Sequence, residues 1–520
     1  MLYELVLLLG TLTLVFYIWQ RSTLSFWKRH GVKYISPLPI VGCTRDFLTA
    51  RVPFFEQIQK FHEAPGFENE PFVGVYMTHR PALVIRDLEL IKTVMIKKFQ
   101  YFNNRALQTD PHNDALGYNN LFFARSPEWR QLRTKISPVF TTGKIKQMYP
   151  LMVKIGKHLE DSVERLGSGT KVQVKDLCAR FTTDLIATIA FGVEANALQD
   201  TKSEFFYHNK AIFSMTLSRA IDFAIIFMLP SLASLARVKL FSKETTKFIR
   251  SSINFVLTER ERTGEKRNDL VDILLAIKHE AAANPKKLSK EIDLDYLVAQ
   301  AAIFQTAGFE TSSSTMTLSL YELARNEALQ ERLREEIVDF FGDDDHISYE
   351  RIQEMPYLSQ VINETLRKYP IVGYIERECS QPAEGERFNL KPFHNMELPH
   401  GMSIYMSTLA IHRDPQYWPD PEKFDPERFS PGNRENLNMD AYMPFGVGPR
   451  NCIGLRLGLL QSKLGLVHLL RNHKFHACDQ TVKKIEWAPV SPVIASKHDI
   501  VLRLEKVSRN YVFGERLPTK

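Results

Sequence analysis

A chain of 520 residues with 44% apolar and 24% charged side chains has the material for a large packed core, and its composition excludes disorder, collagen and coiled coil. Lysine and arginine number 67 against 60 acidic residues; the net +7 is spread without a basic run, so nucleic-acid binding gets no support. The five cysteines, Cys43, Cys178, Cys379, Cys452 and Cys478, are widely spaced and form no CxxC pair, which fits a reducing, cytosol-facing compartment and indicates neither a disulfide framework nor a zinc site.

The chain opens on an uncharged apolar run, LVLLLGTLTLVFYIW over residues 5–19, preceded by Glu4 and followed by Arg21, Lys28, Arg29 and His30. At about 1.5 Å per residue, residues 2–19 reach across a thin bilayer. A cleaved secretory signal would carry its positive charges before the apolar core and a small-residue site after it, and this segment has neither. Residues 1–20 are therefore expected to be a membrane anchor whose positive flank leaves the body in the cytosol. Residues 21–42, basic and containing Ser36-Pro37-Leu38-Pro39, are expected to be a stiff linker.

Helical periodicity dominates from residue 45 to about 380, broken by polar loops at 263–268 and 283–290 and an acidic turn at 342–345. The stretch 223–236 is apolar but short of a span and interrupted by Pro230, so it reads as core rather than as a second contact with the bilayer. β-like runs at 72–77, 82–85, 402–406 and 500–504 are too scattered for an independent sheet domain, and no repeat is present. The expected class is mainly α, an α+β body: a single large helical domain over residues 43–505 with small β-sheets, then a polar tail, 506–520. Residues 413–431 are proline-rich and hold Tyr417, Trp418, Phe424 and Phe429, which predicts an ordered meander because these aromatics need burial.

The sequence PFGVGPRNCIG over residues 444–454 is a glycine-rich loop running into an apolar-periodic helix at 455–470. Cys452 thus sits at a helix N-terminus, where free N–H groups and the macrodipole favour a thiolate, the form a metal ligand must take. The glycines let a large flat group approach the backbone, and Phe445 can shield the sulfur. A dinucleotide loop is disfavoured because the third glycine of GxGxxG would fall at Asn451. A lone cysteine is ordinarily a buried structural one. The combination Phe445, Gly448, Arg450, Cys452 and Gly454, however, would arise by chance on the order of once in ten thousand such chains.

This loop resembles the haem-thiolate loop of the cytochromes P450, and the resemblance makes Cys452 the proximal iron ligand of a haem b. Further motifs of that family follow in order. Ala307-Gly308-Phe309-Glu310-Thr311 is similar to its oxygen-activating helix motif, Glu364-Thr365-Leu366-Arg367 to E-x-x-R, Pro426-Glu427-Arg428-Phe429 to P-E-R-F, and Trp129 with Arg133 to W-x-x-x-R. Read alone, Glu364 and Arg367 lie opposite the apolar face of their helix and suggest an exposed ion pair; the resemblance instead implies a buried network with Arg428. It also implies that the haem propionates meet Arg105, Arg133, Arg377, Arg450 and the indole N–H of Trp129.

In such a protein the thiolate favours O–O cleavage and insertion of one oxygen atom into a C–H bond, and the Glu310–Thr311 pair is the expected proton relay. No flavin or nicotinamide motif is present, so the resemblance implies electrons from an NADPH-dependent reductase, with cytochrome b5 as a further donor. The wording of residues 304–315 and 412–429 is most similar to microsomal members of the insect detoxifying branch, which implies the endoplasmic reticulum membrane and lipophilic substrates such as plant toxins and insecticides. Oxidation of an endogenous lipid, steroid or hormone is the alternative. A reductase-independent isomerase or dehydratase would not need Glu310 and Thr311, and a haem sensor would turn nothing over. Candidate pocket residues by family position include Phe102, Phe122, Phe205, Phe304 and Val372.

Overall fold

The apolar N-terminal run forms helix α1 (Leu2–Thr23), whose 22 residues rise about 33 Å. Its mean hydropathy is 1.9, and none of its span-length window is buried. The computed structural model describes residues 1–214, 216–283, 292–342, 347–383 and 385–507, with the backbone of 511–512 and 515–516. All of the expected polar loop at 283–290 but Ala283, all of the acidic turn at 342–345 but Gly342, and most of the C-terminal tail lie outside the described residues. Within that tail Tyr511–Val512 pairs with Glu515–Arg516.

Seven strands make two small sheets, of which the first contributes residues to the site through β4. Strands β1 (Phe72–Met77), β2 (Arg80–Ile85), β4 (Ile375–Glu378) and β5 (Ser403–Met406) associate in the order β1-β2-β5-β4, with β2 and β5 parallel. Strands β3 (Lys171–Gln173), β6 (His473–Ala477) and β7 (Val501–Lys506) associate in the order β3-β7-β6. The runs expected at 72–77, 82–85, 402–406 and 500–504 are all found. β3, β4 and β6 were not expected: KVQ, IERE and HKFHA carry no apolar alternation and are strands because distant partners offer them a ladder.

The outer edge of β1 is covered by the basic segment that follows α1. Trp27 is fully buried, donates from Nε1 to the Val75 carbonyl at 2.9 Å, and lies on Gly74, where an added Cβ would come within 2.7 Å of the indole. Backbone bonds from Ile35 to Gly74 and from Cys43 to Tyr76 extend this contact, so an otherwise open edge is closed.

Six further helices frame the interior: α2 (Glu128–Ile136), α3 (Thr142–Leu166), α4 (Val174–Ile186), α5 (Leu294–Arg325), α6 (Pro356–Lys368) and α7 (Leu455–Leu470). The 32-residue α5 is capped by Asp293, whose carboxylate accepts the Tyr296 N–H at 2.7 Å, and packs against α4, α6 and α7. Burial on nearly every side explains its weak amphipathic pattern.

The 223–236 stretch divides between two environments. Phe223, Ile226, Met228 and Ala233 enter the core, whereas Leu232 and Leu235 are exposed. In the proline-rich meander Trp418, Phe424 and Phe429 are buried, as the aromatic content predicts.

Candidate active site

The Cys452 loop is shaped by two left-handed glycines. Gly446 and Gly448 have φ of 70° and 75°, and a Cβ on Gly448 would stand 2.1 Å from the Met95 carbonyl oxygen. The loop closes on itself through Cys452 N–H donating to the Phe445 carbonyl at 2.9 Å, which fixes Phe445 beside the cysteine. The regular helix α7 begins at Leu455, three residues beyond the sulfur. Cys452 is open to solvent yet densely surrounded by protein atoms; their desolvation raises the thiol pKa, against the Gly454 N–H and the Arg133 guanidinium, which lower it. The surrounding protein atoms thus oppose the helix-end stabilisation expected from sequence, and a cation bound at the sulfur would favour the thiolate.

Facing this loop is a cluster of arginines with too few carboxylates. Arg105 donates from Nη1 to Glu376 at 2.8 and 3.1 Å, and Arg125 forms a bidentate pair with Glu378 at 2.5 and 3.0 Å. Arg377 donates to the Glu376 backbone carbonyl, and Arg450 to the carbonyls of Phe122 and Ala124. Four guanidinium groups against Glu376 and Glu378 leave a surplus of two positive charges. Burial and the neighbouring Arg105 push the Arg377 pKa down to about 9; Arg450 is driven well below its ordinary value by burial and then by Arg105 and Arg377. The Nε atoms of Arg105, Arg377 and Arg450 are buried without an acceptor. Two carboxylates of a bound group fit this charge, so the residues present suit the two propionates of haem b.

The other expected contacts are placed differently. Arg133 donates to the Asn451 carbonyl and side chain at 2.9 and 3.0 Å, so it braces the cysteine loop. The Trp129 ring lies under Arg450, whose guanidinium carbon is 4.3 Å from the ring centroid. Arg125 and Glu378 were not singled out from sequence. The available signal was the alternating charge of Glu376-Arg377-Glu378 between Ile375 and Cys379, in a strand that is wholly buried.

Helix α5 supplies Glu310 and Thr311, but their side chains diverge. Thr311 Oγ1 donates back to the Ala307 carbonyl at 2.7 Å, beside the exposed Ala307. Glu310 is buried and turned toward α4, where Lys175 Nζ contacts Glu310 Oε1, Ser313 Oγ and Ser314 Oγ, each at 2.8 Å. Adjacency in sequence therefore does not bring the two groups together. A 100° step per residue sends them to different helix faces.

Beneath the loop, Glu364 and Arg367 are completely buried, which corrects the exposed ion pair their helix face suggests. They pair at 2.7 and 2.8 Å, and Arg428 Nε stands 3.5 Å from Glu364. The meander, folded over α6 with Trp418 facing Arg367, removes this polar face from water. His412, which sequence reading passed over, joins the parts: its Nδ1–H donates to the Arg367 carbonyl at 3.2 Å and its Nε2 accepts the Met443 N–H at 2.9 Å. Burial, then Arg367, pushes its pKa to about 3, which holds it in this neutral tautomer.

Of the candidate pocket residues, Phe102 packs on Phe388 in the core, and Phe205 meets Phe248 edge-on with both rings half-buried. Phe122 lies under Arg105, Phe304 stacks on Phe140, and Val372 is 40% exposed.

The comparisons agree with this geometry. The family model described as Cytochrome P450 matches residues 33–501. The chain is 86% identical over 512 residues to the probable cytochrome P450 6w1 of Drosophila melanogaster, covering 98% of this chain and all of the relative. It is 42% identical to the probable cytochrome P450 6v1 of the same species, covering 97% and 100% of the two chains. It is also 38% identical to the cytochrome P450 6j1 of Blattella germanica, covering 91% of each. A glycine-shaped cysteine loop, a cation cluster matched to two propionates and a long helix bearing the oxygen motif thus stand in a chain that belongs to the cytochrome P450 family, the haem-b-containing thiolate monooxygenases.

Proposed function

We propose that this chain is a membrane-anchored monooxygenase that inserts one atom of dioxygen into lipophilic foreign compounds, such as plant toxins and insecticides. Electrons come from NADPH through a membrane-bound reductase, with cytochrome b5 as a further donor. Residues 1–20 are its anchor in the endoplasmic reticulum membrane, residues 21–42 connect it to the catalytic body at 43–505 on the cytosolic side, and 506–520 form a polar tail. When bound, haem would supply dioxygen activation and the transfer of one oxygen atom to a C–H bond.

The protein residues do the rest. Cys452 is the iron ligand, and Phe445 and the Arg133-braced loop keep its sulfur in place. Arg105, Arg377 and Arg450 take the propionates, with Trp129 supporting Arg450 from below. Thr311, once rotated off the Ala307 carbonyl, can hold a water and pass it a proton, while Glu310, buried against Lys175 on another face of α5, would join that relay only through intervening water. The observation that carries this reading is the two-charge surplus of the Arg105, Arg125, Arg377 and Arg450 guanidinium groups over Glu376 and Glu378, with Arg377 and Arg450 buried and Arg105 and Arg125 half-buried.

Reconstitution in vesicles with NADPH–cytochrome reductase and a panel of lipophilic compounds tests it. The expected result is hydroxylated product dependent on both NADPH and dioxygen, with one NADPH oxidised and one water released per oxygen atom inserted. Product without reductase would place the chain among isomerases or dehydratases, and turnover restricted to steroids or fatty acids would replace the foreign-compound assignment.

A further inference from the structure

We propose that Gln461 is a positioning residue for oxygen activation, a clamp that ties the turn around Gly308 to the helix beginning beside Cys452. The proposal rests on the reading of residues 307–311 as the oxygen-activating turn. Gln461 lies on α7 and is 1% exposed. Its Nε2 donates to the Gly308 carbonyl at 3.1 Å and to the Ser312 hydroxyl, two acceptors one turn apart on α5. The carbonyl can only accept, so the amide has one orientation: the opposite one would set Oε1 against the Gly308 oxygen.

That orientation leaves Oε1 buried with no protein donor. An aliphatic side chain of similar length would fill the space without desolvating an amide. The amide therefore adds something packing does not need, namely two directed bonds to a single turn of α5. The Gly308 carbonyl is also the acceptor that the α-helical ladder assigns to the N–H of Ser312, so a side-chain donor shares it and sets the tilt of that peptide.

The opposite side of the turn is equally confined. A Cβ on Gly308 would stand 2.4 Å from Ile186 Cδ1 of α4, so the turn is held between Ile186 and Gln461. The preceding carbonyl, of Ala307, is the one on which the Thr311 hydroxyl is parked. Tilting the Gly308 peptide moves that carbonyl and hence the point from which Thr311 can swing to hold water. Gln461 touches neither substrate nor haem in this account; it acts through the turn.

The test uses the full chain with haem, in vesicles with reductase, comparing wild type with Gln461→Leu, Gln461→Glu and Thr311→Ala. Gln461→Leu is expected to retain haem and the thiolate Soret band of the carbon monoxide adduct. Amide hydrogen exchange across residues 304–316 should accelerate, and product per NADPH should fall by roughly tenfold, equivalent to about 1.4 kcal/mol in partitioning, with hydrogen peroxide making up the difference. In Gln461→Glu the ionised carboxylate cannot donate to Gly308, whereas the protonated acid can. Product per NADPH in that variant should therefore rise as pH is lowered, while wild type stays flat. Should Gln461→Leu lose haem, the pH profile of Gln461→Glu still decides, since a purely structural role gives parallel losses and no such profile. Wild-type coupling in both Gln461 variants, with Thr311→Ala uncoupled, overturns the clamp alone. Wild-type coupling in all three overturns the reading of the turn.

Discussion

Replacing Arg367 with alanine probes the polar network under the cysteine loop. Arg367 gives two bonds to Glu364 and one each to the carbonyls of His412 and Pro421 at 2.8 Å, all from a fully buried position. Its removal leaves Glu364 with the Asp425 N–H at 2.9 Å and the more distant Arg428. Breaking a buried pair in this way costs about 3–5 kcal/mol. Proton uptake limits the charge part of that cost: neutralising a carboxyl of ordinary pKa 4.5 at pH 7 takes about 3.4 kcal/mol at 1.36 kcal/mol per unit. The total is a large share of the stability of a typical domain, about 5–15 kcal/mol, so little haem-loaded protein should accumulate.

The sign of the pH dependence follows from the same group. Burial already raises the folded-state pKa of Glu364, and losing Arg367 raises it further. Ionisation then disfavours the folded state increasingly above the unfolded value, so the deficit of Arg367→Ala should shrink as pH falls from 7 toward 5. Haem content by the carbon monoxide spectrum and urea unfolding at both pH values measure it. Glu364→Gln combined with Arg367→Met, which removes both charges, should recover much of the loss. Wild-type haem loading and an unchanged urea midpoint in Arg367→Ala would refute the reasoning.

Three further outcomes are expected. Cys452→Ser should abolish the red-shifted Soret band of the reduced carbon monoxide adduct. Replacing Cys43, Cys178 or Cys379, whose burial raises their thiol pKa values to about 11, 12 and 12, should leave the band intact; its persistence in a folded serine variant would remove Cys452 as ligand. Thr311→Ala should keep haem and NADPH consumption while product per NADPH drops roughly tenfold, or about 1.4 kcal/mol in partitioning; equal coupling would exclude Thr311 from proton delivery. His62 and His412 are both pushed to about pKa 3, chiefly by burial, so below pH 6.5 the unfolded chain takes up two protons that the native state refuses. These two histidines together lower stability on acidification by at most about 2.7 kcal/mol per pH unit, partly offset by Asp114, whose burial raises its carboxyl to about 6, and His412→Asn should remove about half of the histidine contribution in urea titrations between pH 6 and 4.5.

The parts of this protein that can be read residue by residue are those whose chemistry is local. A left-handed φ at Gly446 and Gly448, a cysteine between them and a helix, and an apolar run long enough to span a bilayer are all written in neighbouring positions. So are the aromatics of the meander, since Trp418 must be buried somewhere. Other features depend on what a distant segment supplies. β3, β4 and β6 are polar and exist because β7 and β5 offer them ladders. Glu364 and Arg367 occupy the polar face of α6, and only the meander folding across it turns a surface pair into a buried one. Glu310 follows the helix step toward Lys175, which lies on α4 far away in sequence, rather than toward its neighbour Thr311. Arg125, His412 and Gln461 carry no local signature at all. Each takes its role from a carboxylate, carbonyl or amide N–H brought up by packing, because a directed bond in a desolvated interior is defined by both of its ends.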